Sequence, residues 1–169
     1  MAANPLDLTC SVCDRGYSRE SWQWRCDCGA PLEFATNPWD VDTDVYSDIP
    51  DEPPDSWADT AAGLWSFGDL LPTPAHVSLG EGLTPLVDAP AWDAAFKLEY
   101  VSPTGSFKDR GATTTMSVAA ELGSGRVVED SSGNAGAAIA TYAARAGIDA
   151  DIYVPASVKP GKRRAIERA

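Results

Sequence analysis

A lysine stands where a helix is expected to begin. In Thr104-Gly105-Ser106-Phe107-Lys108-Asp109-Arg110-Gly111, Ser106 has the character of an N-cap, and Asp109 follows at the spacing of a capping-box acid. That spacing predicts a helix opening at Ser106, with Lys108 in its first turn. A helix N-terminus carries about half a positive charge, so an ammonium group is poorly placed there. At an exposed site water absorbs the conflict; in a partly buried cleft the dipole and the lost hydration favour the neutral amine, which is a nucleophile. The plain alternative is a surface lysine on a capped helix. For a lone lysine that alternative would suffice, and only the surrounding residues argue for more.

Asp130-Ser131-Ser132-Gly133-Asn134-Ala135-Gly136 supplies one of those surroundings. It joins an expected strand to an expected helix, and its small residues leave backbone N–H groups open at the helix start, where a carboxylate or phosphate is held. Read alone, it is an ordinary capped turn. Placed one strand over from the Lys108 loop, it is a second wall of the same site, and an amine opposite an anion cradle suits an amino acid bound through its carboxylate.

A separate constellation lies near the start. Cys10-x2-Cys13 and Cys26-x-Cys28 are two close pairs with 12 residues between them, and they account for all four cysteines. Thiolates so spaced can converge on a tetrahedral zinc, as in a zinc ribbon. The second pair is one residue shorter than usual, and Gly29 permits a tight backbone turn after it. Free thiols are the competing reading, and disulfides are disfavoured in a cytoplasmic chain. The sole histidine, His76, lies outside the cluster and reads as a surface or loop residue.

These groups need elements to position them. Residues 1–36 form a small cysteine module, residues 37–75 an acidic linker rich in Pro and Trp, and residues 76–169 a strand–helix alternation. Strands are predicted at Phe96–Tyr100, Arg126–Glu129 and Asp151–Val154. Helices are predicted from Ser106 to Gly123, from Ala135 to Arg145 with a stop at Gly147, and from about Pro160. Strand, helix, strand, helix, strand predicts an α/β fold: an open parallel sheet with crossover helices, its ligands bound at the loops entering the helices. With about three strands, the sheet reads as part of a larger domain. The linker's Trp39, Tyr46, Trp57, Trp65 and Phe67 are expected to lie on a neighbouring domain, because a solvated tether gains nothing from large apolar rings.

Composition narrows the partners. With 25 acidic and 13 basic residues the net charge is -12, so nucleic acid is excluded as a partner. Seventeen aspartates against four lysines point to a protein adapted to high salt, and removing the nine linker acids still leaves -3. No apolar run approaches the ~18 residues of a membrane span, and residues 1–10 have no secretory pattern. A cytoplasmic location and no membrane contact are expected.

Gly80-Glu81-Gly82-Leu83-Thr84-Pro85-Leu86, then Lys97 through Gly111, then Ser131-Ser132-Gly133-Asn134 together resemble the successive motifs of the threonine synthase family. That family belongs to the pyridoxal-phosphate enzymes of the tryptophan synthase β fold, also called fold type II. The cysteine module resembles the N-terminal ribbon of many of its members. The resemblance implies that Lys108 is the catalytic residue and forms a Schiff base with pyridoxal 5'-phosphate. It implies that Asn134 bonds the cofactor's ring hydroxyl, that Ser131, Ser132 and Gly133 face the substrate carboxylate, and that Cys10, Cys13, Cys26 and Cys28 hold a structural zinc. The implied reaction converts O-phosphohomoserine and water to threonine and phosphate, the substrate being a small amino acid. It also leaves room for a homo-oligomer at full length. The family's Gly-rich phosphate cradle lies beyond residue 169, so this chain alone is expected to be inactive. Two other readings stay open: a different enzyme of the same fold, such as a serine or threonine dehydratase or a cysteine synthase-like enzyme, and a non-catalytic zinc-binding fragment.

Overall fold

The structure, a computed structural model, describes residues 7–18, 23–35, 63–67, 71 and 73–169. Most of the acidic linker, with Trp39, Tyr46 and Trp57, lies outside the described residues.

The cysteine module is a three-stranded antiparallel sheet. β1 (Leu8–Cys10) lies between β2 (Gly16–Tyr17) and β3 (Leu32–Phe34), with Leu8 opposite both Tyr17 and Phe34. Strands this short bury almost nothing: among the described residues, the buried apolar residues of the module are Cys10 at the end of β1 and Cys26 in the loop between β2 and β3, both cysteines. Cross-linking through sulfur, rather than apolar burial, is the available means of holding so small a unit.

β4 (Leu86–Ala89) and β5 (Ala94–Lys97) form an antiparallel hairpin, closed by a 3-10 turn at Pro90–Trp92 and a left-handed Asp93. This corrects the expected sheet. The apolar segment near Phe96 does form a strand, but it pairs with β4 and not with the parallel strands. The reason is chain length: four residues suffice for an antiparallel reversal, whereas parallel pairing needs a crossover of a dozen or more.

After the hairpin come α1 (Lys108–Glu121), β6 (Arg126–Asp130), α2 (Asn134–Ala146), β7 (Asp149–Tyr153) and α3 (Pro160–Glu167). β6 and β7 pair in parallel, Val128 opposite Asp151, with α2 as the crossover. The parallel sheet is therefore two-stranded among the described residues. Ala112, Met116 and Ala119 of α1 recur on one helical face and pack with Ala138, Tyr142 and Ala143 of α2, together with Val77 and Ile148. Gly147 ends α2 at φ +71, as expected of a C-terminal glycine. A Cβ on Gly136 would meet Ile152 Cγ2 at 2.8 Å and the Ser131 carbonyl at 2.9 Å, so only glycine lets the first turn of α2 settle on β7. Among the described residues no helix is long and apolar enough to cross a membrane.

Candidate functional site

The first turn of α1 is fixed by side chains that flank Lys108 and leave its amine out. α1 begins at Lys108, with Phe107 rather than Ser106 at the cap position, and the Ser106 hydroxyl accepts the Lys108 N–H at 3.2 Å. The expected capping box is not formed. Asp109, fully buried, turns back to Thr104, accepting its N–H at 2.7 Å and its hydroxyl. Gly105, at φ +82, makes this reversal by folding Thr104 over the helix start, which satisfies the carboxylate locally.

Arg110 faces the opposite way. Its guanidinium makes a two-pronged bond to Glu99, at 2.9 and 2.8 Å, and reaches Thr84 Oγ1 at 3.3 Å. The Thr84 hydroxyl donates to Glu99 at 2.5 Å, and Lys97 at the end of β5 donates to the Thr84 carbonyl. Arg110, and then Thr84, hold the Glu99 carboxyl down to about 2. Asp109 thus binds α1 to the preceding loop and Arg110 binds it to the hairpin. Lys108 remains exposed, its amine 4.3 Å from the Phe107 ring centroid. The described residues present it on a surface rather than in the partly buried cleft considered above.

One buried carboxylate was missed in the sequence. Glu81 is 1% exposed. Its Oε1 accepts Trp65 Nε1 at 2.9 Å and Ser78 Oγ at 3.1 Å, and its Oε2 accepts the Leu79 N–H at 2.9 Å and Tyr142 Oη at 2.8 Å. Burial works to raise this carboxyl, but the surrounding donors outweigh it and hold the group below the usual range. Trp65 also donates to Thr113 at 3.2 Å, and Thr113 to the Val77 carbonyl at 2.6 Å. Trp65, from the linker, therefore does lie on the α/β unit, and one carboxylate joins it to the 78–81 loop and α2. The available signal was Gly80-Glu81-Gly82. Both glycines have positive φ, and a Cβ on Gly82 would meet the Leu64 nitrogen at 2.4 Å, so two backbones cross there.

The Ser131–Asn134 loop enters α2 as expected. Ser131 Oγ accepts the Gly136 N–H at 2.9 Å and the Gly133 N–H at 3.4 Å, so this hydroxyl caps the helix while its own hydrogen stays available. The N–H groups of Asn134 and Ala135 have no partner among the described residues. Ser132 and Asn134 are exposed beside a shallow depression lined by Asp130, Ser131, Ser132, Tyr153, Val154 and Pro155. Open donors at a helix start suit an anion, and a free lysine amine suits an aldehyde. These residues fit an anionic aldehyde cofactor and a carboxylate substrate. No hydrogen bond or ion pair joins Lys108 to this loop; they belong to α1 and α2, which pack together.

The four cysteines converge. Their sulfurs lie within 4.8 Å of one another, with Cys10 to Cys28 at 3.5 Å and Cys13 to Cys26 at 3.6 Å. A tetrahedral site with metal–sulfur bonds of about 2.3 Å has sulfurs about 3.8 Å apart, so the donor set fits a tetrahedral metal. Val12 N–H points to Cys10 Sγ at 3.4 Å and Cys28 N–H to Cys26 Sγ at 3.5 Å. The Tyr17 hydroxyl, with the Cys28 N–H, draws the Cys26 thiol down to about 6. At Cys13 the Arg15 backbone N–H favours the thiolate, yet the neighbouring sulfurs prevail and push the thiol up to about 12. Packed sulfurs that resist ionising together are what a divalent cation relieves.

Comparison with known proteins places the chain in a family. Residues 77–169 match the family model described as "Pyridoxal-phosphate dependent enzyme". The chain is 35% identical over 158 residues to a threonine synthase of Methanosarcina acetivorans, covering 88% of this chain and 37% of the relative. It is 32% identical over 157 residues to one of Methanocaldococcus jannaschii, covering 86% and 37%. With one of Synechocystis it shares 46% identity over 87 residues, covering 47% and 23%. The chain thus spans little more than a third of the length of the first two of these curated relatives and under a quarter of the third. The family match takes in both helix-entry loops and the whole α1–α2 core, and on that ground the chain belongs to the pyridoxal-phosphate dependent enzymes.

Proposed function

We propose that residues 76–169 supply the cofactor-anchoring lysine and the substrate-carboxylate cradle of a threonine synthase-like enzyme, one that converts O-phosphohomoserine and water to threonine and phosphate. The observation that carries this reading is the first turn of α1, where Asp109 and Arg110 are consumed by structure and Lys108 alone is left as a free amine. Pyridoxal phosphate, when bound, supplies an electron sink for carbanions at the substrate's α and β carbons. Lys108 holds the cofactor's aldehyde carbon and, once released, moves protons at those two carbons. Asn134 meets the cofactor's ring hydroxyl. Ser131, Ser132 and Gly133, with the open N–H groups of Asn134 and Ala135, orient the carboxylate. The test is phosphate release in a chain of the relatives' full length carrying these residues. Release from O-phosphohomoserine with threonine formed is expected; deamination of serine or threonine without it would move the chain to the dehydratases.

We assign zinc to Cys10, Cys13, Cys26 and Cys28, in a module spanning 1–36 that the 37–75 linker joins to the catalytic part. Four thiolates in a closed tetrahedral set are the ligands of a structural zinc site. Purified protein is expected to carry about one zinc per chain, and Cys13→Ser to lose it. Elemental analysis finding no zinc in protein prepared without chelators would remove the assignment.

A further inference from the structure

We propose that Tyr17 is a positioning residue of the cysteine metal centre, its hydroxyl donating to the Cys26 sulfur while its oxygen holds the backbone between Cys26 and Cys28. This rests on the metal reading above. Tyr17 Oη lies 3.1 Å from Cys26 Sγ and 3.1 Å from the Asp27 nitrogen. A metal-bound thiolate can only accept, so the phenol donates to sulfur. The Asp27 N–H can only donate, so the phenol oxygen accepts from it. One hydroxyl therefore grips a ligand atom and the loop that carries it. Arg15 closes over the same loop through Asp27 at 2.6 Å.

The need for this grip follows from the spacing. Cys26-Asp27-Cys28 is one residue shorter than the Cys10-x2-Cys13 pair, and the N–H it returns to Cys26, from Cys28, lies at 3.5 Å. Tyr17, reaching across from β2, adds a nearer donor to that sulfur. Among the described residues, Cys26 is the cysteine whose sulfur takes a side-chain hydroxyl. A donor on a metal-bound thiolate draws charge from the crowded sulfur set, fixes the direction of its lone pairs and resists displacement of the ligand. Partners of this kind typically change metal affinity by about 10- to 100-fold.

The experiment compares the 169-residue protein with Tyr17→Phe, each loaded with zinc or with cobalt(II). Transfer of zinc to a chelator is expected to be about 10-fold faster from the variant, and the thiolate-to-cobalt charge-transfer band to move to lower energy, because the sulfur has regained charge. One metal per chain with unchanged release and an unchanged band would overturn the inference while leaving the metal site standing. If Tyr17→Phe takes up no metal, protein labelled with 3-fluorotyrosine decides: its more acidic hydroxyl is expected to move the band to higher energy, and an unmoved band overturns the role. A parent protein that binds neither metal refutes the metal reading, and this inference with it.

Discussion

Replacing Lys108 by alanine, in a chain of the relatives' full length, is expected to lower turnover of O-phosphohomoserine by a factor on the order of 10⁴ or more while the fold stays intact. The kinetic part follows from removing the group that both holds the cofactor and moves the protons, since loss of a nucleophile is not made up by its neighbours. The structural part follows from where the side chain sits. Lys108 is exposed, and the contact recorded for it is with the Phe107 ring, itself exposed. Asp109 and Arg110, which tie the helix start to the 104 loop and to Glu99, are untouched. Alanine is a better helix former, and removing a cation from the helix N-terminus relieves its dipole, so stability should change by no more than a few tenths of a kcal/mol. Borohydride reduction of the parent enzyme should fix the cofactor to the peptide carrying Lys108. Near-normal turnover in the alanine variant, or label on another lysine, would remove Lys108 from the role.

That both effects can be forecast shows which parts of the molecule local sequence controls. α1 starts within two residues of the expected point because the Ser106 hydroxyl does bind a backbone N–H at the helix start. α2 runs from Asn134 to Ala146 and stops at Gly147 because a glycine can take positive φ. The parallel pair β6 and β7 follows from the helix between them. What local reading missed was non-local. The β4–β5 hairpin turns through Pro90–Asp93, without the Asn-Gly or Asp-Gly signature by which short hairpins announce themselves. Asp109 had two chemically sound partners, and the loop geometry at Gly105 chose Thr104. Tyr17 meets Cys26 only because β2 lies alongside β1. Glu81 reads as surface by residue type, since acids are almost never fully buried unless paired, and its donors come from residues as far apart as Trp65 and Tyr142.

Glu81→Gln should therefore be costly although it changes a single atom, and the hydrogen bonds show why. Each carboxylate oxygen takes two donors: Trp65 and Ser78 on one, the Leu79 N–H and Tyr142 on the other. An amide offers one oxygen and one NH₂. Whichever way it sits, its NH₂ faces one hydroxyl and one N–H. The hydroxyl, of Ser78 or Tyr142, can rotate and accept. The N–H, of Trp65 or Leu79, cannot, so an amide hydrogen is left without an acceptor even where Trp65 keeps its second acceptor, Thr113. Loss of the charge-assisted bonds and one unsatisfied donor cost about 2–4 kcal/mol, which should lower the urea midpoint at pH 7 without altering the slope. Acid then separates this account from simple loss of packing. The Glu81 carboxyl is held below its unfolded value, so its stabilisation is fully present above that value and fades as the pH falls through the carboxylate range and below it. The glutamine variant has no such group to protonate. The gap between the two proteins should narrow as the pH falls below about 4, and a gap that stays constant over that range would show that the Glu81 charge contributes nothing to holding Trp65 and α2 together.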